Sequence, residues 1–278
     1  MISQATLTGF AVDTGRLCVW LALLAAVFVP LERFFALRPS RVFRKAFWAD
    51  VGFYFLSSLL PGLILAMPLA LIASLGQRLM PEGVYQAIIT APLWVRIPVA
   101  LLVGETGAYW GHRWTHEIPF LWRFHELHHE AEHMDWLVNT RAHPVDMVFT
   151  RLCTLAPLYV FGLGGPAGAG GSLVPAVAVI LGVAWGFFIH ANVRWRFGRA
   201  EILVATPAFH HWHHTLSGPI NRNYAPMFPL LDKVFGTLHL PRGEWPAEYG
   251  VLGAEEAAVT KAANAQAAAA ARVRSPAA

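Results

Sequence analysis

The sequence predicts an all-α fold, a multi-pass bundle of about four to five transmembrane helices that carries a histidine-rich helical cap. Three observations predict it. Hydrophobic residues make up 56% of the 278 positions and charged residues only 14%, whereas soluble domains have about 25% charged residues. Long apolar segments recur along the chain. Twelve of the 13 histidines lie between His112 and His214, beside those segments, where chance would scatter them.

Five apolar segments approach the roughly 20 residues that a helix needs to cross a bilayer. They are residues 17–35, 51–75, 92–111, 146–163 and 173–189. Proline interrupts the first two segments at Pro30, Pro61 and Pro68, but membrane helices tolerate proline where neighbouring groups satisfy the backbone. The first segment lacks a signal-peptide cleavage pattern, so we expect it to be a retained anchor.

Basic residues predict the orientation of the bundle, because cytoplasmic loops are enriched in lysine and arginine. The connection after the first segment carries Arg38, Arg41, Arg44 and Lys45, and we therefore expect it in the cytoplasm. The next connection, residues 77–91, holds a single arginine and no lysine. With five crossings, every histidine would lie on the cytoplasmic side of what we interpret as a bacterial inner membrane.

The composition predicts one integral-membrane domain over residues 1–250, with a histidine-box core at residues 100–241. Residues 251–278 form an alanine-rich tail, for which a marginal helix and a disordered segment both remain open. Cys18 and Cys153 lie in separate apolar segments, which indicates buried thiols rather than a disulfide. The net charge of +4 is too modest to indicate nucleic-acid binding, so the lipid bilayer is the expected environment.

Helical spacing organises most of the histidines into three clusters. The clusters are His112 with His116; His125 with His128 and His129; and His210 with His213 and His214. Residues three or four positions apart share a helix face, so we expect each cluster to point its imidazoles at one centre. A further histidine, His190, follows the last apolar segment.

These residue types at this spacing indicate metal binding. Neutral imidazole is a good ligand for iron, zinc and copper, and one metal usually takes about three to four protein ligands. Eight clustered histidines and His190 exceed one coordination sphere and predict two metals. We expect His211 to point elsewhere on its helix and to act behind the ligands. For His143, in an Arg-Ala-His-Pro segment, three roles remain open: a metal ligand, a hydrogen-bond donor behind a ligand, and a loop residue.

Three other interpretations compete with a two-metal site. Histidines that are merely packed or hydrogen-bonded suit His133 and His239, but not eight imidazoles beside membrane spans, where polar groups are costly. The residues from His125 to His129 match the zinc-protease pattern H-E-x-x-H, with Glu126 as general base, yet that leaves six clustered histidines unexplained. A metal transporter would need histidines at the bilayer midplane, whereas these lie at the ends of the apolar segments.

With spacings HX3H, HX2HH and again HX2HH, the chain resembles the sterol desaturase/fatty acid hydroxylase superfamily. The resemblance covers residues 50–241 and extends past the boxes. Its further matches are residues 141–144, 188–192, 223–225, 231–232 and 235–237. Ala225 and Leu231 depart from the family's usual Asn-Tyr-Gly and Trp-Asp, which bears on local packing more than on metal binding.

The resemblance implies a non-haem di-iron centre on the cytosolic face, above a substrate tunnel in the membrane. The eight histidines of the boxes together with His190 would be its ligands, and zinc could replace iron in purified protein. Dioxygen would be the co-substrate, and an external electron-transfer protein or reductase would supply electrons. Glu117, Glu126 and Asp232 are candidates to orient ligand histidines, although solvation at the surface is the simpler interpretation of each.

The expected reaction is hydroxylation of an unactivated C–H bond in a lipid: an acyl chain, a sterol or a lipid headgroup. Desaturation on the same site is the alternative, because the boxes do not separate the two outcomes. An intramembrane zinc protease is a more distant alternative, and it rests on the single H-E-x-x-H match.

Overall fold

A computed structural model describes residues 4–164 and 173–252. These residues form nine α-helices and two short 3-10 helices, with no strand among them, so the predicted all-α fold is confirmed. The α-helices are α1 (Gln4–Phe34), α2 (Phe47–Leu79), α3 (Glu82–Thr90), α4 (Leu93–Glu117), α5 (Pro119–His129), α6 (Pro144–Val160), α7 (Leu173–His190), α8 (Pro207–His213) and α9 (Leu230–Val234). Apart from residues 251 and 252, the alanine-rich tail lies outside the described residues.

Three of the described helical segments are long and apolar enough to cross a membrane: Thr8–Phe34, Phe47–Leu79 and Leu173–His190. Helices α3 and α4 pass the same test only together, and they are bent by 109° at their junction, so they would form a fourth, broken span. The segment predicted at residues 146–163 forms α6, whose 17 residues are at the short limit for a crossing helix. The described residues therefore hold three to four candidate spans, the lower end of the predicted number.

Two glycines allow α6 to pack directly on α4 beside the first histidine cluster. Gly107 and Gly111 lie four residues apart, and a Cβ added at Gly111 would lie 2.6 Å from the Cβ of Cys153. Small residues at this spacing permit close helix contacts in membrane proteins. Because His112 follows Gly111 directly, this contact fixes the position of the α4 ligands relative to α6.

An aromatic cluster joins the long helices to the cap. Phe28 of α1 stacks on Trp136 with 5.9 Å between ring centroids, and both rings pack against Phe187 of α7. Beside them, the carboxylate of Glu32 accepts hydrogen bonds from the backbone N–H groups of Trp136 and Asn192. Since Asn192 lies two residues after His190, these contacts fix the end of α7 relative to α1.

A buried ion-pair network fixes the start of α2 against the cap. Asp50 is fully buried and pairs with Arg44 at 2.6 Å and with Arg141 at 2.8 Å, while Arg44 also pairs with Asp135. Charged groups removed from water are retained only when they are paired and hydrogen-bonded in this way. The network holds the backbone at Arg141, whose carbonyl contacts the second histidine cluster.

Candidate di-metal centre

Four helix ends bring the candidate ligands together. Helix α4 carries its two histidines in its last turns, α5 ends on the second cluster, α7 ends on His190, and α8 with the residue after it carries the third cluster. Pro119 and Pro207 begin α5 and α8, where a fixed backbone angle suits the first helical turn. The ligands of the cap are therefore held by short, well-defined helices packed on the ends of two long ones.

The nine histidines lie in two adjacent groups, within each of which the candidate ligand nitrogens are no more than 4.8 Å from one another. The five-histidine group comprises His112, His116, His125, His129 and His213. The four-histidine group comprises His128, His190, His210 and His214. The rings of His129 and His214 stack across the boundary with 4.3 Å between centroids, so the two groups share one continuous site.

The division cuts across the sequence clusters. We expected each cluster to serve one centre, and only the first does: His128 departs from its neighbours in α5, and His213 departs from its neighbours around α8. Helix geometry explains the pattern. At about 100° per residue, positions i and i+4 differ by about 40°, whereas position i+3 lies about 60° to the other side of i. The i and i+4 members therefore share one group, and the i+3 member reaches the other.

Four of the five rings in the five-histidine group have a protein partner at Nδ1. Nδ1 of His112 lies 2.7 Å from the carbonyl of Tyr224, and Nδ1 of His125 lies 3.1 Å from the Asp146 carboxylate. The other two contacts join His116 to the Asn221 side chain at 3.1 Å and His213 to the Arg222 carbonyl at 2.8 Å. These acceptors fix the proton on Nδ1, so that Nε2 is free to bind a metal.

Four Nε2 atoms of the five-histidine group have no hydrogen-bond partner in the described part of the chain. They belong to His116, His125, His129 and His213, and all four are buried. A buried polar atom without a partner costs about 1–3 kcal/mol, so four of them facing one point need an explanation. A cation with an affinity for imidazole would satisfy all four.

The four-histidine group fits a metal by a second criterion. His128 and His190 each donate Nδ1–H to a main-chain carbonyl, at 3.0 Å and 2.7 Å, which leaves both Nε2 atoms as acceptors. Those Nε2 atoms nevertheless face each other at 3.2 Å, and Nε2 of His190 lies 3.0 Å from that of His210. Nitrogens bound to one tetrahedral metal at about 2.0–2.1 Å would lie roughly 3.3 Å apart, which matches this spacing.

Electrostatics keeps the cap imidazoles neutral, the form that binds metal. Burial first, and repulsion from neighbouring imidazoles second, lowers the pKa of these histidines well below its usual value. They are His125, His128, His129, His210, His213 and His214. Neutral imidazole accepts iron, zinc and copper, so the donor set fits iron without excluding the others.

The two histidines that the sequence left as possible additional ligands, His143 and His211, have other partners. His211 donates Nε2–H to the Ala191 carbonyl at 3.1 Å, and its Nδ1 accepts from the Tyr249 hydroxyl at 2.8 Å, so both nitrogens are occupied. His143 precedes α6, and its Nδ1 accepts the backbone N–H of Val145 at 3.2 Å. Neither residue belongs to a histidine group, and His133 is exposed and apart from both.

The three carboxylates considered from the sequence lie in different environments, and only Asp232 departs from the expected surface position. Glu117 pairs with Arg113 on the surface, and Glu126 belongs to neither histidine group. Asp232 is fully buried and accepts the backbone N–H groups of Tyr224 and Ala225. Asp146, which sequence reasoning missed, is the carboxylate that contacts a candidate ligand. Its position in the first turn of α6, two residues after the Arg-Ala-His-Pro segment, was the available signal.

The zinc-protease interpretation fits this geometry poorly. His125 and His129 lie with three further histidines from α4 and α8, whereas such a site needs a single outside ligand. Six histidines that the zinc-protease interpretation leaves unused all belong to one of the two groups. They are His112, His116, His128, His210, His213 and His214.

Comparison with known proteins identifies relatives. A family model described as fatty acid hydroxylase matches residues 97–237. The chain is 32% identical over 164 residues to an ornithine lipid hydroxylase of Rhizobium tropici, covering 58% of this chain and 47% of that protein. It is 30% identical over 143 residues to the alkylglycerol monooxygenase of Homo sapiens, covering 50% and 29%. It is 27% identical over 153 residues to methylsterol monooxygenase 2-2 of Arabidopsis thaliana, covering 52% and 54%.

The aligned part is a fraction of each relative, since this chain spans 47%, 29% and 54% of their lengths. No solved structure gives a significant match. The family model covers both α4 histidines, the second and third boxes and His190, and so includes every candidate ligand.

Proposed function

Because the chain belongs to the fatty acid hydroxylase family, we propose that it is a membrane-bound, non-haem di-iron oxygenase that hydroxylates an unactivated C–H bond of a lipid. One observation carries the proposal: nine imidazoles from four helix ends converge in two adjacent groups, and in the described part of the chain four buried Nε2 atoms of the five-histidine group have no hydrogen-bond partner. One metal does not use nine ligands, whereas two metals would.

The ligand assignment follows the two groups. In this proposal the five-histidine group holds one iron and the four-histidine group holds the other. His211 and His143 are not ligands in this proposal, since both nitrogens of His211 contact Ala191 and Tyr249, and His143 contacts Val145 through Nδ1 and belongs to neither group. Zinc is the expected contaminant in purified protein, because imidazole binds both metals.

The overall reaction that we propose joins lipid C–H, dioxygen, two electrons and two protons to give lipid C–OH and water. The iron pair supplies the oxygen chemistry. The protein binds the lipid, presents one carbon to the site and excludes water, and the buried position of the cap histidines suits that exclusion. Because the electrons must come from outside the site, an external electron-transfer protein or reductase is the proposed partner.

The relatives motivate the substrate class. Their names refer to an ornithine lipid, an alkylglycerol and a methylsterol, which share membrane residence rather than one headgroup. We therefore propose a membrane lipid as substrate, with an acyl chain, a sterol and a headgroup as the candidate positions.

We also propose that the histidine cap lies on the cytoplasmic side. The argument is the cluster of basic residues at 38–45, since cytoplasmic loops are enriched in such residues. This segment connects α1 to α2, and its Arg44 forms an ion pair with Asp135 of the cap. Single cysteines placed near Arg141 and Arg222 should resist an impermeant thiol reagent added to intact cells. Labelling from outside would contradict this orientation.

The function is tested with membrane lipid, labelled dioxygen and an electron-donor system. The parent protein should incorporate one labelled oxygen atom into lipid, and His128→Ala and His213→Ala should each abolish turnover, because ligands of a two-metal site act as a unit. His133→Ala, outside both groups, is the matched control and should retain activity. Loss of two hydrogens without oxygen incorporation would mean desaturation. Full activity in a folded His128→Ala protein would contradict the di-iron assignment.

A further inference from the structure

One short segment of the cap reaches three of the five histidines in the five-histidine group. Residues 221–224 connect α8 to α9 and lie far from most of the ligands in the sequence. Their contacts run from Nδ1 of His116 to the Asn221 Oδ1 at 3.1 Å, from Nδ1 of His213 to the Arg222 carbonyl at 2.8 Å and from Nδ1 of His112 to the Tyr224 carbonyl at 2.7 Å. In the described part of the chain, the four-histidine group receives no hydrogen bond from this segment.

The backbone of the segment adopts an uncommon conformation. Asn221 and Asn223 both have φ of 60°, and among the described residues no other non-glycine residue has a positive φ. Asparagine tolerates this left-handed region better than most residues, but the conformation still costs on the order of 1 kcal/mol and persists only when the surroundings enforce it. The two left-handed residues alternate with Arg222 and Tyr224, the residues whose carbonyls contact His213 and His112.

Buried side chains enforce this conformation. The Asn223 amide donates to the carbonyls of Phe209 and His239 at 2.8 and 2.6 Å, and its oxygen accepts the backbone N–H of His239 at 2.7 Å. Asp232 accepts the backbone N–H of Tyr224 at 2.7 Å and the hydroxyl of Thr237 at 2.6 Å. Asn223 and Asp232 are both fully buried, so the segment is held by its own network rather than by the metal ligands alone.

From this arrangement we propose that residues 221–224 form a positioning clip for one of the two metal positions, the one held by the five-histidine group. The proposal rests on the two-metal function above. Three acceptors on one rigid segment fix the tautomer and the ring orientation of three ligands at once, and so pre-organise a single metal position. Asn221, Asn223 and Asp232 are positioning residues in this scheme, since none of them belongs to either histidine group and their side chains contact other protein groups.

Asn221 provides the sharpest test, because its side chain is exposed and its replacement should leave the fold intact. Asn221→Gly keeps the left-handed backbone and removes only the acceptor for His116. Asn221→Asp keeps an acceptor and tolerates the same backbone. Ser217→Ala, an exposed change in the same connection between α8 and α9, is the matched control.

The measurement is an equilibrium competition between the purified full-length protein and a chelator, with cobalt as a coloured probe that reports each metal position. In Asn221→Gly, one of two bound metals should weaken by roughly 10–100-fold while the other is unchanged. Ser217→Ala should behave like the parent, and Asn221→Asp, whose carboxylate is the stronger acceptor, should hold that metal at least as tightly as the parent does. Equal weakening of both metals, or no weakening in Asn221→Gly, would overturn the clip. A parent protein that binds a single metal would instead overturn the two-metal function, and with it the assignment of the clip to one position.

Discussion

The two histidine groups differ in how the protein holds them. In the five-histidine group, four of the five rings have an Nδ1 partner: two carbonyls, one amide oxygen and the Asp146 carboxylate. In the four-histidine group only His128 and His190 have one, and both partners are carbonyls. Nδ1 of His210 and of His214 is buried without a partner among the residues that the structure describes.

This difference suggests two ways of building a metal position. Hydrogen bonds to outer partners orient a ring and raise its basicity, and a carboxylate partner does so more strongly than a carbonyl. The four-histidine group depends more on packing: all four of its residues are buried, and His214 stacks on His129 with 23° between the ring planes. We therefore expect two metals of unequal affinity, and the following changes test that expectation from the largest effect to the smallest.

The largest effect should come from the ion-pair network behind the four-histidine group. Asp50→Asn removes the charge that faces Arg44 and Arg141, whose side chains are only 10% and 12% exposed. Breaking one partner of a buried ion pair costs about 3–5 kcal/mol, so the melting temperature in detergent should fall markedly. Because the Arg141 carbonyl contacts His128, metal loss should begin in that group.

Glu132→Gln is the matched control for this change. Glu132 is an exposed carboxylate of the cap and makes no salt bridge among the residues that the structure describes, so its replacement should leave the melting temperature near that of the parent. Melting of Asp50→Asn at the parent temperature would show that the network does not stabilise the cap.

The next effect concerns Asp146, the carboxylate behind His125. Asp146→Ala removes the acceptor at 3.1 Å and should weaken the metal of the five-histidine group by about 10–100-fold. Asp146→Asn keeps a neutral acceptor, so the loss of metal affinity in this variant should be smaller. Chelator competition gives both values, and Glu117→Ala, which touches only Arg113 on the surface, is the control. Weakening of the four-histidine metal alone would reverse the assignment.

Asp146 also illustrates what the sequence did not reveal. Eight of the nine candidate ligands were identified from their spacing, because helical periodicity makes i, i+3 and i+4 histidines conspicuous, and His190 was identified from its place after the last apolar segment. Asp146 lies 21 residues from His125, and the two meet because α6 packs against α5 as well as against α4. A contact made by helix packing leaves no periodic trace in the sequence.

The same reason explains why the sequence clusters did not reveal the two groups. His128 and His213 point away from their cluster neighbours toward imidazoles contributed by other helices. Which flank of α5 faces which flank of α8 is decided by how the cap packs on α4 and α7. The number of spans was harder still, since α6 is apolar enough to resemble a crossing helix but has only 17 residues.

A smaller effect should separate the metals directly in the unmodified protein. If outer hydrogen bonds decide affinity, equilibrium removal with increasing chelator should release the four-histidine metal first, with about a tenfold difference between the two steps. Cobalt spectra of parent and His128→Ala identify which step belongs to that group. A single step, with both metals leaving together, would contradict this expectation. It would mean that contact between the two groups at His129 and His214 couples release of the two metals, and that this coupling outweighs the difference in affinity produced by the outer hydrogen bonds.

The smallest effect concerns His143, whose role the sequence left open among three possibilities. In the structure its Nδ1 accepts the backbone N–H of Val145 at the start of α6, and its ring packs on Phe124 with 4.9 Å between centroids. A helix cap contributes about 0.5–2 kcal/mol, whereas a metal ligand decides whether the metal binds at all. His143→Ala should therefore lower the melting temperature slightly and leave two metals per chain. His143→Asn, which supplies a better capping side chain, should recover the stability. Loss of one metal from His143→Ala, with no recovery in His143→Asn, would identify His143 as a metal ligand. One of the two histidine groups would then have an additional member, and the comparison between the groups would have to be revised.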